Sequence, residues 1–401
     1  MTLPLEGVRV FDLTHVWSGP MGTRVLAALG AEVIKIENRN RPDLLRGTGN
    51  DLRLRYPDQE YGGEHRLDRN AWFNTQNVGK LSVQLDLKDE DDRATALELV
   101  ATCDVVVSNY RAGVLSRMGF GFDQLVEVNP TVVVVEMTAF PSTSPQARAA
   151  GFGAQFDAAS GNTWLSGDET GPVLTGFAIG DPVGGLFAAS AVVAGLERRR
   201  VTGRGVHVEI PQSEAMMPLF GEQFVLESRG QESTERLNGD ATGAPHGIHP
   251  AGDGRHVAIG VHTDEQYAAL VAGLVRRDLL DDPAWATSEG RRGDLDRLEA
   301  AVAAALAEEP DAEALVARLQ LAGVPAGFVT GPAELSRDEQ LWAAGFFTEL
   351  DHPAAGRHAY PGLPIRIDGA ALVPARPAPL LGQHTDEVLG ALDELREVAL
   401  R

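Results

Sequence analysis

A single cysteine in 401 residues leaves no intrachain disulfide to hold the fold, which suits a reducing, cytoplasmic setting. Cys103 opens the stretch CDVVV, where a small buried thiol is expected rather than a nucleophile. Positive charge is also scarce: 35 Lys and Arg face 57 Asp and Glu, for a net charge of −22. That field repels phosphate backbones and anionic headgroups, so nucleic acid and membranes are not expected partners. An anionic small molecule would need a few clustered cations against it. Long apolar runs are missing; the longest, Pro182 to Leu196, is too short to span a bilayer and reads as a buried core helix. The N-terminus MTLPLEGVRVFDL has no basic region followed by an apolar one, so no signal peptide is expected. No H-E-x-x-H spacing suggests a metal. The first strand-to-helix turn, DLTHVWSGPMG, lacks the G-x-G-x-x-G that lets a backbone approach a pyrophosphate. Glu37 ends the second strand where a ribose-binding acid would sit, but without those glycines NAD or FAD is not expected.

What is present is an alternation of strands and helices. Val8–Phe11 and Glu32–Ile36 read as strands flanking a helix from Met21 to Leu29, which Gly30 stops. Strands at Val105–Val107 and Val132–Val135 are wholly apolar, as in a parallel sheet covered on both faces. Gly113 to Val128 between them has helical spacing. The pattern predicts an α/β, doubly wound, Rossmann-like large domain. Residues 40–70 form a long polar loop and 228–250 a turn-rich linker into a smaller α/β domain. That smaller domain carries a strand at His256–Val261 and helices at Asp294–Ala307 and Asp311–Ala322; a last helix starts near Thr385. The expected division is 1–225 for the large domain, 226–325 for the small one, and 326–401 for a C-terminal segment.

Several segments resemble one family in its order along almost the whole chain: LEGVRVFDLTHVWSGP, LGAEVIKIE, NVGKLSVQLDLK, SNYRAGVLSRMGFG, IGDPVGG, VTGRGVHVEI, AGVPAG, GFFTELDHPAAGRHAYPG and LGQHTDEVL. The chain thus resembles the class III CoA-transferases, the CaiB/BaiF family, which includes α-methylacyl-CoA racemases. The resemblance implies an interlocked homodimer whose C-terminal segment completes the large domain, with no permanently bound cofactor and coenzyme A as substrate and product. It implies transfer of CoA from an acyl-CoA to a carboxylic acid through a covalent aspartyl intermediate.

Asp181, in Ile179-Gly180-Asp181-Pro182-Val183-Gly184-Gly185, matches the family's nucleophile. The same residues also read as an ordinary helix start, with Asp181 as N-cap and Pro182 at the first helical position. In either case the helix dipole is expected to keep the carboxylate ionised. Gly184 and Gly185 admit an acyl group close to the backbone or merely ease helix packing. For CoA, the resemblance points to main chain at His15, Val16, Trp17 and Ser18, and to Arg39, Lys80, Asn109, Tyr110, Arg117 and Met118. The cations would pair with phosphates and Tyr110 would cover the adenine; any one of them also reads as a surface charge. Phe140, Phe152 and Gln155, with Trp164, suggest an acid pocket more apolar than one for a tiny dicarboxylate, or simply core. Trp17, and ATGAPHG in place of a glycine-rich small-domain loop, argue against a formyl-CoA:oxalate enzyme.

Two alternatives stay open. Racemases of the family carry a histidine–aspartate pair in a segment like G-H-D-x-N; here the stretch is Gly151-Phe152-Gly153-Ala154-Gln155, and phenylalanine exchanges no protons. His15, His246 and His249 are the conceivable substitutes. The other alternative is a CoA-binding subunit of a hetero-oligomer.

Overall fold

The computed structural model describes residues 2–46, 65–167, 171–231 and 242–399, with side chains to 394. Most of the expected 40–70 loop (47–64) and part of the expected linker (232–241) lie outside the described residues.

Six short strands form one parallel sheet: β1 Arg9–Asp12, β2 Glu32–Glu37, β3 Leu81–Gln84, β4 Val105–Ser108, β5 Val133–Glu136 and β6 Val206–Glu209. Their order is β3-β2-β1-β4-β5-β6, with Phe11 aligned to Ile34 and Val106, and Val106 to Val134. Valine and isoleucine suit this pleated surface, and period two sends successive side chains to opposite faces. Phe11, Ile34, Val106 and Val134 pack into one core. Val10, Val33, Val105, Val107, Val133 and Val135 pack into the core on the other side. Covering both faces is what a continuous valine run requires. The order reverses between β1 and β4, so a crevice opens beyond the carboxyl ends of those two strands.

Three helices matter for that crevice: α1 Ser18–Ala28, α2 Gly153–Ala159 and α3 Gly180–Thr202. α1 and α3 cross in close contact, because a Cβ at Gly185 would lie 2.5 Å from the Ser18 carbonyl oxygen and one at Gly22 2.7 Å from the Gly185 oxygen. α3 contains the apolar run Pro182–Leu196, which reads as a buried core helix. It buries only its small-residue side, Gly184, Gly185, Ala188, Ala189 and Val192. Leu186, Phe187 and Val193 point outward and are exposed. The expected helix over 113–128 is two, Val114–Arg117 and Phe122–Val128, because Gly119 takes a left-handed φ of 86° between them.

Two compact units result, one of residues 1–164, 173–233 and 339–401, the other of 165–172 and 234–338. The chain returns to the first unit after 338, beyond the expected 325, because Ala326–Phe328 pairs with His256–Gly260 in the second unit's three-stranded antiparallel sheet. That unit has its own core, including Val257, Ile259, Leu298, Val302 and Leu315. In the first unit, the C-terminal helix α4, Thr385–Ala399, packs Val388 and Leu392 against the sheet core. The segment before it is fixed by polar contacts: Leu381 N–H donates to Asp68 (2.9 Å) and Gly382 N–H to Ser82 Oγ (2.9 Å).

Candidate active site

The crevice begins with Asp12, buried at the end of β1. Its carboxylate accepts from Thr14 N–H (2.8 Å), Thr23 Oγ1 (2.7 Å) and Lys80 Nζ (3.2 Å). Burial alone would raise this carboxyl; Lys80 and Lys35, with the two hydroxyls, outweigh it and hold it below its usual range. The next loop is thereby folded tightly. Val16 sits at φ 64°, a left-handed conformation that a β-branched residue adopts only under constraint. The constraint is visible: Val16 N–H donates to both oxygens of Asp43 (3.1 and 3.2 Å), and Asp43 pairs with buried Lys35 (3.2 Å). Asn109, just past β4, joins the two strand ends. It accepts from His15 N–H (2.8 Å) and donates to the His15 carbonyl (2.7 Å) and to Ser18 Oγ (3.3 Å).

Outside this loop lies a groove of about 660 Å³ over the ends of β1, β2 and β3. His15, Val16, Tyr110 and Met118 line it, along with Asn38, Arg41, Leu44 and Lys88. His15 is held below its usual range, chiefly by burial, and so stays neutral. Burial pushes the Tyr110 hydroxyl up, and the charge of Arg41 partly opposes this. Glu37 also borders the groove, but its two oxygens are held by Arg46 at 2.7 and 2.6 Å and one accepts from Ser82. It is committed to the fold and offers nothing to a ribose.

The other expected CoA residues divide. Arg39 and Arg117 are exposed. Trp17 leans on Trp72 (centroids 5.2 Å) and Phe177 (6.2 Å), off the groove lining. Lys80 is corrected outright as a phosphate contact. It is fully buried, and its ammonium donates to Asp12, Thr23 (2.7 Å), Asn77 (2.9 Å) and the Pro20 carbonyl (3.2 Å). It builds the floor of the site instead. Arg41 and Lys88 were missed; one is two residues beyond Arg39, the other follows β3, and only the fold shows that they share a groove.

Behind the loop stands Asp181, in the first turn of α3. The N-cap expectation is corrected: the cap position is Ile179, and Pro182 follows Asp181 within the turn. The free amides are taken by a different acid, Asp157 of α2, which accepts from Ile179 N–H (3.1 Å) and Gly180 N–H (2.7 Å). Asp181 is left to accept from Gly153 N–H and the Ser18 hydroxyl. Gly153 is required here, since a Cβ would collide with Ala178 and with the Asp181 carboxylate itself. The carboxylate remains ionised at neutral pH, but the dipole does not hold it in the usual carboxylate range. Burial first, and the charge of Asp157 second, raise the Asp181 carboxyl from 3.8 to about 6.

Both glycines after it stand at close approaches. A Cβ on Gly184 would meet Gln212 at 3.3 Å, and the space over Gly185 is filled by α1. Gln155 caps its own helix, its Oε1 accepting from Phe152 N–H (3.0 Å). Phe152 is 58% exposed, Trp164 is exposed and Phe140 half-buried. His246 and His249 belong to the second unit, where His249 lies 3.1 Å from Glu299. Among the described residues no cluster of three or more His, Cys, Asp or Glu is arranged to hold a metal, and no helix is long and apolar enough to cross a membrane.

Known proteins resemble this chain along most of its length. The family model for CoA-transferase family III matches residues 5–385. A mouse succinyl-CoA:glutarate CoA-transferase is 33% identical over 96% of this chain and 86% of its own length. An acetyl-CoA:oxalate CoA-transferase from Acetobacter aceti is 32% identical over 91% and 90%. A CaiB/BaiF family protein from Brucella suis, solved by crystallography, is 28% identical and superposes with a TM-score of 0.85 over 98% of this chain and all of that one. The chain therefore belongs to the class III CoA-transferases, the CaiB/BaiF family, and is an enzyme of the CoA-transferring kind.

Proposed function

We propose that the protein moves CoA from an acyl-CoA to a carboxylic acid with Asp181 as nucleophile. The observation that carries this is that the carboxylate is spared from capping: another acid caps its helix, and through Ser18 it rests against the loop whose far side walls the groove. An Asp181 oxygen attacks the thioester carbonyl, the C–S bond breaks, and CoA leaves as thiolate, giving a mixed anhydride. The thiolate then attacks the aspartyl carbonyl and expels the first acid as carboxylate, leaving an aspartyl-CoA thioester. An incoming carboxylate runs the two steps backwards, so the energy of the thioester is conserved as long as water is excluded.

CoA occupies the groove in this reading, with main chain at His15–Ser18 against it, its adenine on Tyr110 and Met118, and its phosphates near Arg41, Lys88 and the exposed Arg39 and Arg117. Asn109 acts by holding the His15–Ser18 loop. The acid lies on the side of Phe140, Phe152 and Gln155. The isomerase alternative gains nothing, because Phe152 occupies the position of the proton-exchanging histidine. The exposed Leu186, Phe187 and Val193 of α3, with Leu219, Phe224 and Val225, support burial against a second copy, in keeping with a homodimer.

The test is chemical trapping. Acyl-CoA without acceptor should load the enzyme; hydroxylamine should then give a hydroxamate on the peptide containing Gly180-Asp181-Pro182, and borohydride should reduce the same site. Label on any other peptide, with Asp181→Asn still transferring CoA, would remove Asp181 from the mechanism.

A further inference from the structure

We propose that Asp157 is a positioning residue for the transfer reaction: it frees Asp181 from helix capping and, by its fixed negative charge, favours the covalent states in which Asp181 is neutral. The inference rests on Asp181 as nucleophile but assigns a part to a residue that makes no contact with substrate. Asp157 is almost wholly buried on α2, with both oxygens engaged by the amides of Ile179 and Gly180. An aspartate in a helix's first turn ordinarily competes for such amides. Here they are already satisfied, so Asp181 is not drawn into capping and is held instead by the Gly153 amide and the Ser18 hydroxyl.

The second effect is electrostatic. Two carboxylates held close in a partly dry site repel each other. When Asp181 attacks a thioester, its charge leaves with the CoA thiolate and the aspartyl group becomes an uncharged anhydride; in the following thioester it is also uncharged. The repulsion from Asp157 is present only in the free enzyme, so it destabilises the ground state relative to both intermediates. It also makes Asp181 more basic and therefore a stronger nucleophile. The groups that oppose this are uncharged: α1 brings the Ser18 hydroxyl and α2 brings the Gly153 amide. Gln212, beside Gly184, is uncharged.

Asp157→Asn and Asp157→Ser both retain an oxygen to accept from the Gly180 amide while removing the charge. In each, the acid limb of kcat/KM should move down by about half a pH unit or more. The fraction of enzyme trapped as aspartyl-CoA thioester at saturating acyl-CoA should fall several-fold. KM for acyl-CoA should stay within about twofold, since Asp157 does not face the groove. Asp157→Glu, which restores charge, should recover the wild-type limb at least in part. A folded, uncharged variant with an unmoved acid limb and undiminished adduct would overturn the proposal while leaving Asp181 as nucleophile. An active Asp181→Asn enzyme would instead overturn the reading beneath it.

Discussion

Replacing Asp181 by Asn should stabilise the protein at neutral pH while abolishing transfer. Asn keeps the shape and one carbonyl oxygen for the Gly153 amide and Ser18 hydroxyl, but carries no charge beside Asp157. The wild-type carboxyl is raised from 3.8 to about 6, and roughly two units correspond to about 3 kcal/mol of folding free energy lost at pH 7. Partial exposure and weaker hydrogen bonds to an amide reduce the net gain of the variant to about 1–2 kcal/mol. The sign follows from the proton. The folded wild type holds its proton to higher pH than the unfolded chain, so its penalty is full above about pH 7. It shrinks as pH falls through about 6 and vanishes below 3.8. The assay is paired thermal melts of wild type and variant between about pH 4.5 and 8, with about 2 °C or less expected per kcal/mol in a chain this long. The melting curves should separate at pH 7.5 and converge toward about pH 4.5. A variant less stable than wild type at pH 7, or a gap independent of pH, would show that Asp181 is a structural cap and refute the reasoning.

Lys80→Met should destabilise by about 3–5 kcal/mol, because it strands the buried Asp12 carboxylate. The folded fraction should bind CoA and dephospho-CoA in unchanged ratio by calorimetry; a selective loss of CoA would return Lys80 to the 3′-phosphate. Gly185→Ala should cost about 1–3 kcal/mol by chemical denaturation, since its Cβ would press on the Ser18 carbonyl at 2.5 Å. It should lower kcat by about tenfold or more as Ser18 shifts from Asp181, with KM for acyl-CoA little changed; normal kcat would show that the α1–α3 spacing is not critical.

The sequence by itself determined four of the six strands of the parallel sheet and singled out one candidate carboxylate. Strand periodicity and unbroken valine runs place β1, β2, β4 and β5 to within a residue or so at each end, because a strand covered on both faces leaves no choice but apolar side chains. The IGDPVGG segment is local and contiguous, so Asp181 was legible without coordinates. Charge pairing was not. Lys80, read from its segment, looks like a phosphate ligand, yet its partners Asp12, Thr23 and Asn77 come from three separate parts of the chain. The capping of α3 escaped for the same reason. Asp157 lies more than twenty residues upstream of the amides it holds, and nothing in a linear pattern ranks it above the aspartate already in the helix's first turn. Hydrophobic periodicity is written along the chain, whereas desolvation depends on which distant groups close over a side chain. The sequence therefore singled out Asp181 as the candidate, and only the tertiary structure decided that it does not cap its helix, stands near a second carboxylate and is raised to about 6.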